Sequence, residues 1–356
     1  MTRSFEEIAS ELQNDRVLLV GGAGFIGHNL AVGLSKVGVP VMVLDNLMVN
    51  SLVDNAFYDE GDLIKRQLNL HFLMSRFEIM RSYDVEFRNC DARNFSDIAN
   101  VFNEFTPTRV VHLAAIASSV DARKDPGKCF DLQLSTLRNV LELCRLNKKN
   151  MKTLMFLSSS TVYGDFDDAW VDETTRPRPR GIYANTKYMG ERLVRTYCHT
   201  YGLGTCIIRP SALYGERCVS RRVSQIFIEN ALTGKPLLLE GGGCGKLDFT
   251  YIEDLIDGMI RALALHGGPT VSDTFNLTYG NARSILELAN VIKEIIPDVT
   301  FECRPKAEDK PIRGTLKMDK ADDRLGFKPK WPLEKGYKRY CEWYVSEWGK
   351  IIGSNE

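Results

Sequence analysis

"RVLLVGGAGFIGHNL", residues 16–30, sends five strand-like residues straight into three glycines spaced three apart, with a helical pattern directly behind them. Such a turn is either a tight structural corner or a floor for the two phosphates of a dinucleotide. The strand before it and the helix after it favour the second reading, because that context puts helix N–H donors at the turn. Gly21 permits the sharp exit from the strand, Gly24 lets backbone N–H groups approach a pyrophosphate, and Gly27 lets the helix pack close to the sheet.

The next strand-like run, "VPVMVLD", ends in Asp45. A carboxylate there accepts hydrogen bonds from both ribose hydroxyls and repels a 2′-phosphate. No Arg or Lys follows among residues 46–50, so the expected cofactor is NAD rather than NADP. Asp91, in "NCDARN" at the end of the third strand, is placed to contact the adenine.

Further runs, "DVEFRNC", "RVVHLAA", "KTLMFLSSS" and "GTCIIRPS", alternate with amphipathic segments such as "HNLAVGLSKVG" and "LQLSTLRNVLELCRLN". Several of the strands are apolar on both faces, the pattern of a buried parallel sheet. The expected fold is α/β, a Rossmann-type doubly wound parallel sheet with a smaller C-terminal substrate-binding lobe. Residues 1–210 are assigned to the NAD-binding domain, with an ordered, partly helical insertion at about 46–82. A later strand and helix at about 248–280 return to it, and residues 211–247 and 281–356 make up the lobe.

Composition narrows the function classes. The 356 residues carry 46 Lys plus Arg against 46 Asp plus Glu, so no overall field draws the chain to nucleic acid or anionic lipid. Arg217, Arg221 and Arg222 form a local basic patch. The start, "MTRSFEEIASEL", has acids and no long apolar core, and no stretch approaches the ~20 apolar residues of a membrane span. The nine cysteines lack any CxxC pair and read as reduced thiols of a cytoplasmic enzyme. None of the five histidines shows ligand spacing with a cysteine, so no metal is expected.

"YANTK" places Tyr183 and Lys187 at i, i+4 on one helix face. A free phenol ionises near pH ~10, too high for a base at neutrality. An ammonium one turn away, together with a positive nicotinamide ring, would lower that value. The serine-rich strand end "FLSSSTVYG", residues 156–164, offers a hydroxyl to hold the reacting sugar oxygen.

Taken together, "GGAGFIG", "VVHLAA", "SSSTVYG", "YANTK", "RPSALYG", "DFTYIEDL", "FNLTYG" and "LGFKP" resemble the extended short-chain dehydrogenase/reductases. The resemblance is to their NAD-dependent nucleotide-sugar epimerase/dehydratase family and runs from about residue 16 to about 345. It implies that Tyr183 removes a sugar hydroxyl proton, that Lys187 tunes it and contacts the nicotinamide ribose, and that Ser159 assists. NAD contacts are expected from Gly21, Gly24, Phe25, Ile26, Gly27, Asp45, Asn46, Asp91 and Ala92. Leu113, Ala114, Ala115, Ser158, Tyr183 and Lys187 complete that set. Contacts to a nucleotide-diphosphate sugar are expected from Ser118, Ser160, Thr161, Ala212, Arg217, Lys246 and Arg304. The helices "LQLSTLRNVLELCRLN" and "GERLVRTYCHTYG" are similar to those that pair two copies in this family, which implies a homodimer.

The same motif separates the reactions. Where the family's sugar 4,6-dehydratases carry Asp and Glu after the catalytic Ser/Thr, this chain has Ser160 and Thr161. Neither side chain works as a carboxyl acid or carboxylate base near neutrality. The expected activity is therefore epimerisation, at C4 through a 4-keto intermediate. The alternative is a nucleotide-sugar dehydrogenase or reductase with net NAD(H) turnover; behind it stand a 4,6-dehydratase and a non-catalytic NAD-binding protein. Ala212 and Gln133 replace usual asparagines, and Leu247 replaces an arginine that grips the diphosphate. The sugar-nucleotide pocket is thus expected to be rebuilt, with the 46–82 insertion as part of the rebuilding.

Overall fold

The glycine turn leaves an interior strand of a seven-stranded sheet in which every neighbouring pair runs parallel. The computed structural model describes residues 5–49, 51, 52, 56, 63–116, 119–265, 271–306 and 311–353. The sheet strands are β1 (Val17–Val20), β2 (Val41–Asp45), β3 (Glu86–Asn89), β4 (Arg109–His112), β5 (Thr153–Leu157), β6 (Thr205–Pro210) and β7 (Ser272–Leu277). Their order is β7-β6-β5-β4-β1-β2-β3, so the winding reverses between β1 and β4. At such a switch point the carboxyl ends of the strands open a crevice where ligands bind.

β1, β4 and β5 are buried along their whole length, as their two-faced apolar pattern requires. β3, expected as a strand, is one, but its "EFRN" is exposed throughout. It is an edge strand with one neighbour, and its short, charged sequence discourages further pairing.

The principal helices are α1 (Phe25–Lys36), α2 (Leu63–Ser82), α3 (Phe95–Phe105), α4 (Thr136–Leu146), α5 (Gly181–Tyr201), α6 (Val223–Leu232), α7 (Ile252–Leu265) and α8 (Leu333–Gly353). α3 starts at Asn94, whose Oδ1 accepts the N–H groups of Ser96 and Asp97, a cap worth about 1 kcal/mol. α4 continues a helical run from Pro126 through a π-turn at Asp131–Ser135. The main described element of the insertion is α2, which packs against both α1 and α8. Phe72 of α2 meets Trp343 and Tyr344 of α8 at ring-centroid distances of 4.8 and 5.4 Å. No helix among the described residues is long and apolar enough to cross a membrane.

Two acids fasten the later part of the chain to the sheet. Asp248, wholly buried, accepts the Leu316 and Gly280 N–H groups and the Thr278 hydroxyl. Burial raises its carboxyl to about 6, against those three donors. Asp254 accepts the N–H groups of Lys330 and Trp331. The segments "DFTYIEDL" and "FNLTYG" and the two residues that follow "LGFKP" thereby become one hydrogen-bonded assembly. Tyr163 joins them to the serine-rich strand end by donating its hydroxyl to Asn276 Oδ1 at 2.8 Å.

Candidate active site

A cavity of about 630 Å³ opens along the carboxyl ends of the sheet strands. At one end lies the glycine turn. Gly21 has φ +80°, and a Cβ there would sit 2.5 Å from the backbone of Ala114. A Cβ at Gly24 would find nothing nearer than 3.7 Å, so its face of the turn is open. At Gly27 the contact is not with the sheet, as the sequence suggests, but with the turn itself: a Cβ would lie 2.4 Å from the Gly22 carbonyl oxygen. Gly27→Ala must therefore push α1 off the turn, at about 1–3 kcal/mol of overpacking. The expected result is a folded protein with NAD affinity reduced by roughly tenfold or more, read by calorimetric titration of NAD.

Phe25, Ile26, Asp45, Asn46, Asp91 and Ala92 line the same end, with Leu113, Ala114 and Ala115 opposite. Asp45 Oδ2 accepts the Ala23 N–H at 3.0 Å and Oδ1 accepts the Leu47 N–H at 2.8 Å. Burial raises its carboxyl pKa, against those two N–H groups and the Arg76 guanidinium. Each oxygen keeps a lone pair for a ribose hydroxyl. Asp91 is ion-paired with Arg93 at 2.6 Å, and that pair holds its carboxyl below the usual range. An open glycine turn with a carboxylate one strand away fits NAD. Arg76, from the insertion, also reaches this end and is 1% exposed. It donates to the carbonyls of Ala23 and Arg217, tying the glycine turn to the loop after β6. The insertion thus reaches both the glycine turn and the 211–247 segment, through Arg76 and through the Lys65–Glu229 pair at 3.4 Å.

At the other end stand Tyr183 and Lys187 of α5, with Ser158, Ser159, Ser160 and Thr161 after β5 and Ala212 after β6. Ser159 lies beside the Tyr183 phenol and favours its ionised form. Lys187 Nζ donates to the Leu157 carbonyl at 2.8 Å and lies 6.0 Å from the Tyr183 ring centre. Burial pulls its ammonium down to about 8. Burial also raises the Tyr183 pKa, and the groups that oppose the rise are Arg222 and Ser159. The Lys187 ammonium is directed at the Leu157 carbonyl, and Arg222, at the start of α6, is the cation that most favours the ionised phenol. The Ser158 hydroxyl is turned away into the core, where it donates to Glu191 at 2.7 Å.

Three residues expected at the sugar nucleotide are absent from the cavity wall. Arg217 has φ +63° and lays its guanidinium over Trp343, 6.0 Å from the ring centre. Lys246 is exposed on a two-residue strand, and Arg304 is exposed and paired with Glu302 at 2.9 Å. Ser118 lies outside the described residues. The wall contains instead Arg76, Arg221, Arg222 and Arg313, which the motif comparison did not single out as site residues. The basic patch in "ERCVSRR" was a visible signal for Arg221 and Arg222. Arg76 and Arg313 carried none, since each arrives from a segment distant in sequence. Gln133 is buried and donates to the Cys129 sulfur, whereas Leu247 does line the cavity.

Residues 17–278 match the family model described as the NAD dependent epimerase/dehydratase family. The chain is 28% identical over 350 residues to UDP-glucuronate 4-epimerase 1 of Arabidopsis thaliana, covering 94% of this chain and 77% of that protein. It is similar to the UDP-glucose 4-epimerase of Thermus thermophilus in complex with NAD, at 27% identity and a TM-score of 0.74, over 93% of this chain and 99% of that one. It is also similar to the UDP-glucuronic acid 4-epimerase of Bacillus cereus in complex with UDP-glucuronic acid and NAD, at 25% identity and a TM-score of 0.78, with the same coverage.

Proposed function

Because the chain belongs to the NAD dependent epimerase/dehydratase family, we propose that it is an NAD-dependent nucleotide-sugar epimerase working at C4 of the sugar. What supports this reading most directly is a single cavity whose wall carries the glycine turn at one end and Ser159, Tyr183 and Lys187 at the other. Bound NAD supplies the hydride acceptor and, on return, the donor. Tyr183 takes the proton of the C4 hydroxyl and later gives it back, and Ser159 holds the same oxygen. Lys187 anchors the nicotinamide ribose. Ser160 and Thr161 offer no carboxyl group to eliminate water, so the 4-keto sugar is reduced again rather than dehydrated.

The dinucleotide lies on residues 1–210 with 248–280, and the nucleotide-diphosphate sugar lies against 211–247 and 281–356. Exposed Leu146, Met189, Leu193 and Tyr201 on α4 and α5 support a homodimer through those helices. Balanced charge and reduced thiols support a cytoplasmic enzyme with no nucleic-acid partner. The alternative, net oxidation or reduction, is tested by mixing the protein with NAD and UDP-hexoses. Interconversion of C4 isomers without growth of NADH absorbance is expected; steady NADH growth without isomer exchange rejects the epimerase.

A further inference from the structure

The connection from β6 to α6 is held in an unfavourable backbone conformation. Three of its non-glycine residues have positive φ: Ala212 at 36°, Arg217 at 63° and Arg221 at 45°. Such conformations persist only where the surroundings over-determine them. Part of that hold comes from the insertion. Arg76 of α2 donates from Nε and Nη2 to the Arg217 carbonyl, at 3.1 and 2.5 Å. Lys65, also of α2, reaches Glu229 at 3.4 Å, the carboxylate that Arg221 approaches at 3.7 Å. The connection's own contribution is the Arg221 N–H, which donates to Gln225 Oε1 at 3.0 Å. Held in this way, the loop places Ser220, Arg221 and Arg222 on the cavity wall.

We propose that Arg76 is a positioning residue that couples dinucleotide binding to nucleotide-sugar binding, by tying the glycine turn to the 217–222 loop so that each ligand favours the other. The proposal rests on the placing of the sugar nucleotide against residues 211–247 given above. The tie is visible atom by atom. The third donor of the same guanidinium, Nη1, reaches the Ala23 carbonyl at 3.4 Å, inside the glycine turn. Ala23 is fixed from its other side by Asp45, whose Oδ2 accepts its N–H at 3.0 Å. One planar group from the insertion thus spans the turn that receives the dinucleotide and the loop that faces the sugar nucleotide.

Coupling requires that a ligand interact differently with two placements of the loop, and here that difference is electrostatic. Arg76 is 1% exposed, lines the cavity with Gly21, Gly24 and Asp45, and makes no salt bridge among the described residues. Burial, with Arg217 adding to it, pulls the guanidinium down to about 10, against Cys218 and Asp45. An anion at the glycine turn favours a buried cation beside it. It therefore favours the position from which Arg76 holds the Arg217 carbonyl. A guanidinium that left this position would release Arg217 and Arg221 from positive φ and take the loop's side chains off the cavity wall. By linkage the effect is reciprocal: a ligand that needs the loop in place strengthens the dinucleotide's hold. Lysine at position 76 keeps the charge but lacks the fork that reaches two carbonyls at once.

The test titrates NAD and UDP calorimetrically, each without the other and at saturation of the other. The wild type is expected to bind UDP at least roughly fivefold more tightly with NAD present, and NAD by the same factor with UDP present. Arg76→Lys is expected to keep NAD affinity within a few-fold while the coupling is lost, and Arg76→Met to lose both. Wild-type affinities that ignore each other overturn the proposal, and so does coupling that survives in Arg76→Lys. A second reading needs no variant: NAD is expected to slow amide hydrogen exchange in residues 217–222 of the wild type, and exchange indifferent to NAD overturns the proposal. A protein that binds no UDP overturns it too. Isomer exchange at C4, followed on the same wild-type sample, judges the epimerase reading separately.

Discussion

Replacing Tyr183 by Phe leaves a folded protein that still binds NAD, while C4 interconversion falls by roughly 10²–10⁴-fold. The ring stays, so the packing around α5 is kept. What disappears is the hydroxyl beside Ser159, on the cavity wall with Lys187. The other hydroxyls nearby cannot replace it: Ser158 is spent on Glu191 and Ser159 has no base of its own. Lys187 is aimed at the Leu157 carbonyl. Isomer exchange by NMR, with NAD content measured on the same sample, gives the answer. Turnover within a few-fold of wild type would remove Tyr183 from the reaction.

Glu191→Ala costs the fold about 3–5 kcal/mol, the range for removing one partner of a buried pair. Glu191 is 0% exposed and Arg209 is 2% exposed. Arg209 Nε donates to Oε1 at 2.8 Å and Nη2 to Oε2 at 2.6 Å. Ser158 and Arg195 donate to the same carboxylate. Without it, the guanidinium stays buried and uncompensated, stacked 4.8 Å over the Tyr163 ring centre. Burial by itself raises the Glu191 carboxyl pKa, but Arg209, Ser158 and Arg195 hold the net value below the ordinary one. A depressed folded pKa means that this stability is present above the unfolded value of about 4.3 and is lost as pH falls through the folded one. Urea unfolding at neutral pH should therefore separate the variant from wild type by several kcal/mol, and the gap should shrink on acidification. A constant gap across that range would show that packing, not charge, is what Glu191 contributes.

The two predictions draw on different layers of information. Tyr183 and Lys187 are legible as candidates from "YANTK", because the spacing that brings a phenol and an ammonium onto one helix face is local; Ser159 follows from the family resemblance of "SSSTVYG". The glycine turn is legible for the same reason: positive φ at Gly21 and the absence of Cβ at Gly27 are demands of a few consecutive residues. The Glu191–Arg209 pair joins "YMGERL" to "CIIRPS", and nothing local in either segment announces it.

Local pattern alone thus determined the strand–turn–helix floor, the succession of buried parallel strands and the choice of NAD, and it singled out Tyr183 and Lys187 as candidates for the chemistry. Each depends on hydrogen bonding or sterics within about one helical turn or one strand. The arginines of the site were decided only by tertiary structure. Arg304 and Lys246, which sit in familiar motifs, turn outward, while Arg76 and Arg313, from a long insertion and a late loop, turn inward. A long flexible side chain takes its direction from what packs around it, and electrostatics in a cavity sums charges by distance in space rather than along the chain.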